Sequence, residues 1–287
     1  MTILIALLTL GGLTLLLALM LTIANKKLYV YEDPRIDVVE GMLPHANCGA
    51  CGYPGCRPFA EALVNGEMLP GKCTVSSEDG RKAIAEFLGV DAGSEEKRVA
   101  RLACAGGLNV AINRAKYEGL TTCRGEALIS GGSKGCSWGC LGHGDCETVC
   151  DFDAISMNEF GLPVVDEAKC TACGDCVEVC PKDLFSIHPV SHRLWVACKS
   201  LEAGDGVLED CEVGCTACGK CAMDAPNLIS MVHNLPVIDY SKNHQIQVPI
   251  QRCPTGAIVW IDEKKGIIKG AEAKKIIRKG KKMLGES

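Results

Sequence analysis

Twenty of the 287 residues are cysteine, and most of them fall in short runs of fixed spacing. Cys170, Cys173 and Cys176 stand as C-x2-C-x2-C, followed after three residues by Cys180 and then directly by Pro181. Thiolates at these intervals wrap a cubane [4Fe-4S] cluster, the fourth reaching the other cluster of a pair. A separate group, Cys48, Cys51, Cys56 and Cys73, lies in and after His45-Ala46-Asn47-Cys48-Gly49-Ala50-Cys51-Gly52-Tyr53-Pro54-Gly55-Cys56. Its glycines let the backbone curl round a cluster and aim N–H groups at the sulfurs, which tunes potential. Four thiolates close one cluster, so His45 reads as an outer or surface neighbour. A structural zinc site with four thiolate ligands is the alternative for this group.

The remaining runs form a repeat. Cys136, Cys140, Cys146 and Cys150 pair with Cys170, Cys173, Cys176 and Cys180 like the two halves of a two-cluster bacterial ferredoxin. Crossed ligation assigns Cys136, Cys140, Cys146 and Cys180 to one cluster and Cys150, Cys170, Cys173 and Cys176 to the other. The first half is irregular: His143 stands where a regular run has Cys, and Cys136 is expected to substitute for it. His143 as a ligand is the competing reading. Downstream, Leu162-Pro163-Val164-Val165-Asp166 matches Leu235-Pro236-Val237-Ile238-Asp239, which aligns Cys170, Cys173, Cys176 and Cys180 with Asn243, Ile246, Pro249 and Cys253. Ala225 likewise stands in the place of Cys150. The absent ligands are those of one crossed cluster, and the survivors, Cys215, Cys218, Cys221 and Cys253, make the other complete.

Sixteen cysteines are thus assigned, to four [4Fe-4S] clusters. Cys104, Cys123, Cys198 and Cys211 remain, and two readings stay open for them: a fifth cluster, or buried small apolar side chains. Cys211-x3-Cys215 echoes Cys136-x3-Cys140.

The elements that must position these thiols are small. Aromatic residues make up only 5% of the chain, thin for one large core, so the modules need inorganic staples. Residues Ile3 to Ala24 carry no charge over 22 residues, about 33 Å of helix and enough to cross a bilayer. A cleaved signal peptide is the competitor, but no basic residue precedes the run and no A-x-A-like site closes it. Lys26 and Lys27 follow it and place the rest of the chain on the cytoplasmic side, where thiols stay reduced. Ser94 to Ala103 reads as a helix start. Gly131-Gly132-Ser133-Lys134-Gly135 lacks the phosphate-loop spacing and reads as a flexible approach to Cys136. The segment Lys264 to Lys282 reads as a solvated basic helix, with docking on anionic lipid or an acidic ferredoxin as the alternative. The expected class is α+β, divided as anchor 1–26, four-cysteine iron–sulfur domain 27–92, helical connector 93–130, two-cluster ferredoxin-like unit 131–190, degenerate one-cluster unit 191–262 and basic tail 263–287. A net charge of −5 argues against nucleic acid as a partner. There is no G-x-G-x-x-G after a strand for NAD or flavin, and one span cannot form an ion path.

This order of modules, with the segment Gly135-Cys136-Ser137-Trp138-Gly139-Cys140-Leu141-Gly142-His143-Gly144-Asp145-Cys146, resembles the iron–sulfur B-subunit of the Rnf ion-translocating electron-transport complexes. The resemblance implies a protein that takes electrons from reduced soluble ferredoxin and passes them to membrane partners, while nicotinamide, flavin and the pumped Na+ or H+ belong to other subunits. A related reductase component serving a redox regulator shares these motifs. A zinc-stabilised membrane scaffold without redox chemistry is the alternative of another class.

Overall fold

The computed structural model describes residues 1–28, 31–274 and 282–283. Helix α1 (Thr2–Leu28) is uncharged up to Lys26 and Lys27 in its last turn, and its stretch Leu7–Leu28, of mean hydropathy 2.3, is long and apolar enough to cross a membrane.

Three helices then make the first module: α2 (Arg35–Met42), α3 (Cys56–Val64) and α4 (Glu78–Leu88). Phe59, Leu63, Val39 and Ile84 lie fully buried between them. Ser77 opens α4 by accepting from Gly80 N at 3.1 Å, and Gly89, at φ 68°, closes it in the left-handed conformation that favours glycine. Arg57 on α3 donates to Asp37 at 2.9 Å and Glu40 at 2.7 Å on α2, so the two helices are fixed face to face.

The rest of the chain is built of short elements. In order they are β1 (Arg98–Leu102), β2 (Ile112–Asn113), α5 (Cys123–Ala127), α6 (Asp145–Thr148), β3 (Ile155–Met157), β4 (Pro163–Val165), α7 (Asp175–Val179), β5 (Phe185–Pro189) and β6 (Leu194–Val196). There follow α8 (Val207–Asp210), α9 (Lys220–Asp224), β7 (Ile229–Val232), β8 (Leu235–Ile238), α10 (Val248–Gln251), β9 (Ile258–Asp262), β10 (Gly266–Ile268) and β11 (Lys282–Met283), which runs parallel to β2.

Two ferredoxin-like units are visible in the pairing. The first has the hairpin β3–β4, and its closing strand β5 pairs antiparallel with β1, Ala100 opposite Ile187. The second has the hairpin β7–β8, and its closing strand β9 pairs antiparallel with β6, Leu194 opposite Trp260. Each unit therefore begins with a lead-in strand upstream of its cysteine run. For the first unit that strand corrects the helix expected over Ser94 to Ala103 and the helical connector of 93–130. Val99, Ala100 and Arg101 are buried in sequence, and pairing with a strand almost ninety residues later overrides the local capping pattern. The basic tail also departs from expectation: Gly266–Ile268 adds a third strand to the β6–β9 sheet in place of a helix, and residues 275–281 of the expected helix lie outside the described residues.

Candidate iron–sulfur centres

None of the 20 cysteines is in a disulfide, and the structure gathers them into five hollows of four sulfurs each. The first, about 310 Å³, is lined by Cys48, Cys51, Cys56 and Cys73. The Asn47 side chain accepts from Cys56 N at 2.8 Å and pins the loop to the start of α3, while Cys73 arrives on the single 3-10 turn Pro70–Lys72. His45 is exposed and does not line the hollow.

The second hollow, about 320 Å³, is lined by Cys150, Cys170, Cys173 and Cys176. Backbone N–H groups are aimed at its sulfurs: Ala100 N lies 3.4 Å from Cys170 Sγ and Ala154 N 3.4 Å from Cys150 Sγ. Ala172, at φ 62°, holds a left-handed turn that carries the chain from Cys170 to Cys173.

The third hollow, about 380 Å³, departs from expectation. Cys140, Cys146 and Cys180 line it, but the fourth thiol is Cys123 and not Cys136. Cys123 opens α5, whose N-cap Thr122 accepts from Gly125 N at 3.0 Å, and Arg124 N is 3.3 Å from Asp145 on α6. His143 is bonded through Nε2 to the buried Glu126 of α5, so the residue standing where a regular run has Cys instead pins the helix that brings the substitute thiol. Glu126 also accepts from Ser133 N at 2.8 Å. Burial alone would raise its pKa, but the hydrogen bonds from Ser133 and His143 outweigh burial and hold the carboxyl below its usual range.

Cys136 lies in the fourth hollow, also about 380 Å³, with Cys104, Cys198 and Cys211. Three of the four cysteines outside the regular runs therefore meet Cys136. Their positions follow the repeat: Cys104 and Cys198 each stand two residues beyond a lead-in strand, β1 or β6, while Cys136 and Cys211 each begin a C-x3-C run. Each unit contributes one equivalent pair, so this hollow sits at the junction between them. Gly106 passes so close that a Cβ there would lie 3.0 Å from Cys211 Sγ and 3.7 Å from Cys104 Sγ. The fifth hollow, about 350 Å³, is lined by Cys215, Cys218, Cys221 and Cys253.

These thiols are costly to ionise as they stand. Burial pushes Cys140, Cys146, Cys176 and Cys211 up to about 12 and Cys136, Cys215 and Cys221 to about 11, with neighbouring sulfurs adding to the rise. Only a positively charged metal assembly among them would hold them as thiolates. Among the described residues, no three His, Cys, Asp or Glu side chains are arranged to hold a single metal ion. A lone zinc would draw four sulfurs to ~2.3 Å from one point, whereas here they ring open hollows, as a polyatomic cluster requires.

The hollows form an unbroken row. Thr74, in the wall of the first, donates through Oγ1 to Thr171 O, in the wall of the second, at 2.7 Å. Helices α6 and α7 cross between the second and third, Cys146 and Cys180 serving one while Cys150 and Cys176 serve the other. Cys140 N, from the third, lies 3.5 Å from Cys104 Sγ of the fourth. Cys215 N, from the fifth, lies 3.4 Å from Cys198 Sγ of the fourth. Cys218 at the far end is the sole exposed cysteine.

Comparison with known proteins agrees with this picture. An Fe-S cluster family model matches residues 43–75 and a 4Fe-4S dicluster domain matches residues 135–184. The chain is 42% identical over 253 residues to the B-subunit of the Na(+)-translocating ferredoxin:NAD(+) oxidoreductase complex of Acetobacterium woodii, covering 87% of this chain and 75% of that one. It is 37% identical over 267 residues to the B-subunit of the proton-translocating ferredoxin:NAD(+) oxidoreductase complex of Clostridium ljungdahlii, covering 90% of each. It is 36% identical over 250 residues to the B-subunit of the ion-translocating oxidoreductase complex of Methanosarcina acetivorans, covering 87% of this chain and 95% of that one.

Proposed function

The chain belongs to the B-subunit family of the ion-translocating, Rnf-type oxidoreductase complexes, and from that premise we propose that it is their membrane-anchored electron relay, carrying five [4Fe-4S] clusters in single file. The observation that supports this reading most is the continuous row of five four-thiol hollows, each joined to the next by a hydrogen bond or by crossed ligand helices. When bound, a cubane of this kind exchanges one electron at low potential without bond making at the protein. The residues do the rest. The thiols of Cys48, Cys51, Cys56 and Cys73 hold the first cluster, those of Cys150, Cys170, Cys173 and Cys176 the second, and those of Cys123, Cys140, Cys146 and Cys180 the third. Cys104, Cys136, Cys198 and Cys211 hold a bridging fourth, and Cys215, Cys218, Cys221 and Cys253 the fifth. Backbone N–H groups aimed at sulfur stabilise the reduced, more negative state, and burial keeps water from the sites.

The two ends support one direction of flow. Exposed Cys218 favours the fifth site as the one a soluble donor reaches, and in this reading the donor is reduced ferredoxin. The first site follows the apolar helix in the chain and delivers to membrane partners of the complex. Lys26 and Lys27, in the last turn of α1, favour the cytoplasmic face for all five sites. NAD, flavin and the coupling ion are handled by other subunits.

Anaerobic purification with iron and sulfide quantitation tests the reading: five cubanes require about twenty iron atoms per chain, and Cys104→Ser should remove about four of them. Near sixteen iron atoms in the wild type, unchanged in Cys104→Ser, would remove the bridging cluster. A colourless protein holding zinc would remove the relay altogether.

A further inference from the structure

The charges in the walls of the five hollows are unequal. The first is lined by no charged residue, and the second by Asp175 alone. The third has one of each sign, Asp145 and Lys182, and the fifth has Lys220, which is paired with Glu272 at 3.3 Å. The fourth is lined by two cations, Lys134 and Lys199, and by no acid. Lys199 is half-exposed and its ammonium reaches away to the carbonyl of Asp183. Lys134 is different in kind: it is 6% exposed.

Burying a lysine is costly unless its ammonium is paired or hydrogen-bonded. Lys134 Nζ donates to the Gly106 carbonyl, beside Cys104 and Cys211, and to the Cys140 carbonyl at 2.6 Å. The ammonium is thus tied at the wall shared by the third and fourth hollows. Room for its stem comes from Gly139, where a Cβ would lie 2.9 Å from Lys134 Cδ. The repeat supplies a control: the position equivalent to Lys134, two residues before Cys211, is Glu209, and it is exposed. The two units are alike in their thiols at this junction and unlike in this one buried charge.

We propose that Lys134 sets the redox potential of the bridging site, making it the easiest of the five to reduce, so that electrons moving along the row collect at its fourth position. The inference rests on the five-cluster reading above. Reduction adds one electron's charge to the thiolate-ligated group, and a fixed cation in a low-dielectric wall stabilises that added charge far more than one in water. Lys134 acts through the field it places on its neighbours and is a positioning residue; it takes no proton or electron itself.

The test is a potentiometric titration of the full-length protein, followed by low-temperature paramagnetic resonance, with iron counted in every sample. The signal lost in Cys104→Ser identifies the bridging cluster, and in the wild type it should be the first to appear as potential is lowered. In Lys134→Gln, which can still donate a hydrogen bond, the ratio of reduced to oxidised bridging cluster at fixed potential should fall about tenfold, ~59 mV for a one-electron couple. Lys134→Arg should stay close to the wild type. Full iron in Lys134→Gln with an unmoved midpoint overturns the proposal. Should Lys134→Gln lose iron, the wild-type order decides: a bridging signal that appears after any other overturns it. Unchanged iron in Cys104→Ser overturns the five-cluster reading instead, and this inference with it.

Discussion

The two ferredoxin-like units share topology and strand register, yet one encloses two four-thiol hollows and the other a single one, and the difference shows what must occupy the space a cubane vacates. Around the second hollow the first unit keeps its walls small: Ala100 on β1, Ala154 before β3 and Ile187 on β5 face Cys173 and its partners. At the equivalent places the second unit has Leu194, Leu228, Trp260 and Ile246, and all four pack into one apolar cluster with the buried Ile250. Ala225 stands in that cluster where Cys150 stands in the first unit. Where the four ligands are absent the wall residues are larger, because a hollow left unfilled there would cost contacts on every side. Beside the filled site, the Tyr240 ring stacks on His192 at 3.7 Å, and its hydroxyl donates to Leu194 O at 2.8 Å.

Exchanging wall residues should erase this contrast most completely. Ala100→Leu should exclude the cluster of the second hollow, removing about four iron atoms per chain and the matching resonance signal while the third hollow and the second unit keep theirs. Next in size is Cys51→Ala, which should leave the clusters of both units assembled but stop electron delivery onward, read as reduced protein that no longer passes electrons to membranes holding the partner subunits. In the reverse exchange, Leu194→Ala should cost about 2–5 kcal/mol with no change in iron, measured as a lowered denaturation midpoint under anaerobic conditions.

A smaller effect tests the pin on the substitute thiol. His143→Gln should weaken the hold on Cys123 and speed iron loss to a chelator from the third site alone. The smallest effect concerns pH. Burial, with the charges of His192, Arg101 and Arg98, pushes His188 down to about 4 from its ordinary value near 6.5. The folded protein therefore binds this proton less readily than the unfolded chain. The stability is full above about 6.5 and is lost as pH falls toward 4. Between pH 7.5 and 5, the wild type should lose more melting temperature than His188→Gln does.

Much of this architecture is legible in the sequence, because cluster ligation fixes local spacing. The groups Cys48 to Cys73, Cys150 to Cys176 and Cys215 to Cys253 fall into the hollows their spacing indicates. The four-thiol bridge is not legible that way: its members come from four separate segments, joined only by tertiary pairing. Part of it shows in the repeat: the echo of Cys136-x3-Cys140 in Cys211-x3-Cys215 matches Cys136 with Cys211, and the repeat carried further upstream to the lead-in strands matches Cys104 with Cys198. Cys123 left no such trace, since the helix that carries it has no counterpart in the second unit. Ser94 to Ala103 misled because its acids and N-cap residue mimic a helix start, while the deciding partner, β5, is far away in sequence.

The junction has a mechanical side. Cys104 and Cys136 belong to one unit and Cys198 and Cys211 to the other, so whatever is bound among them is also the rivet between two halves. A cluster bound there would do two jobs, joining the row of sites and tying the units, so that its loss would part both at the middle.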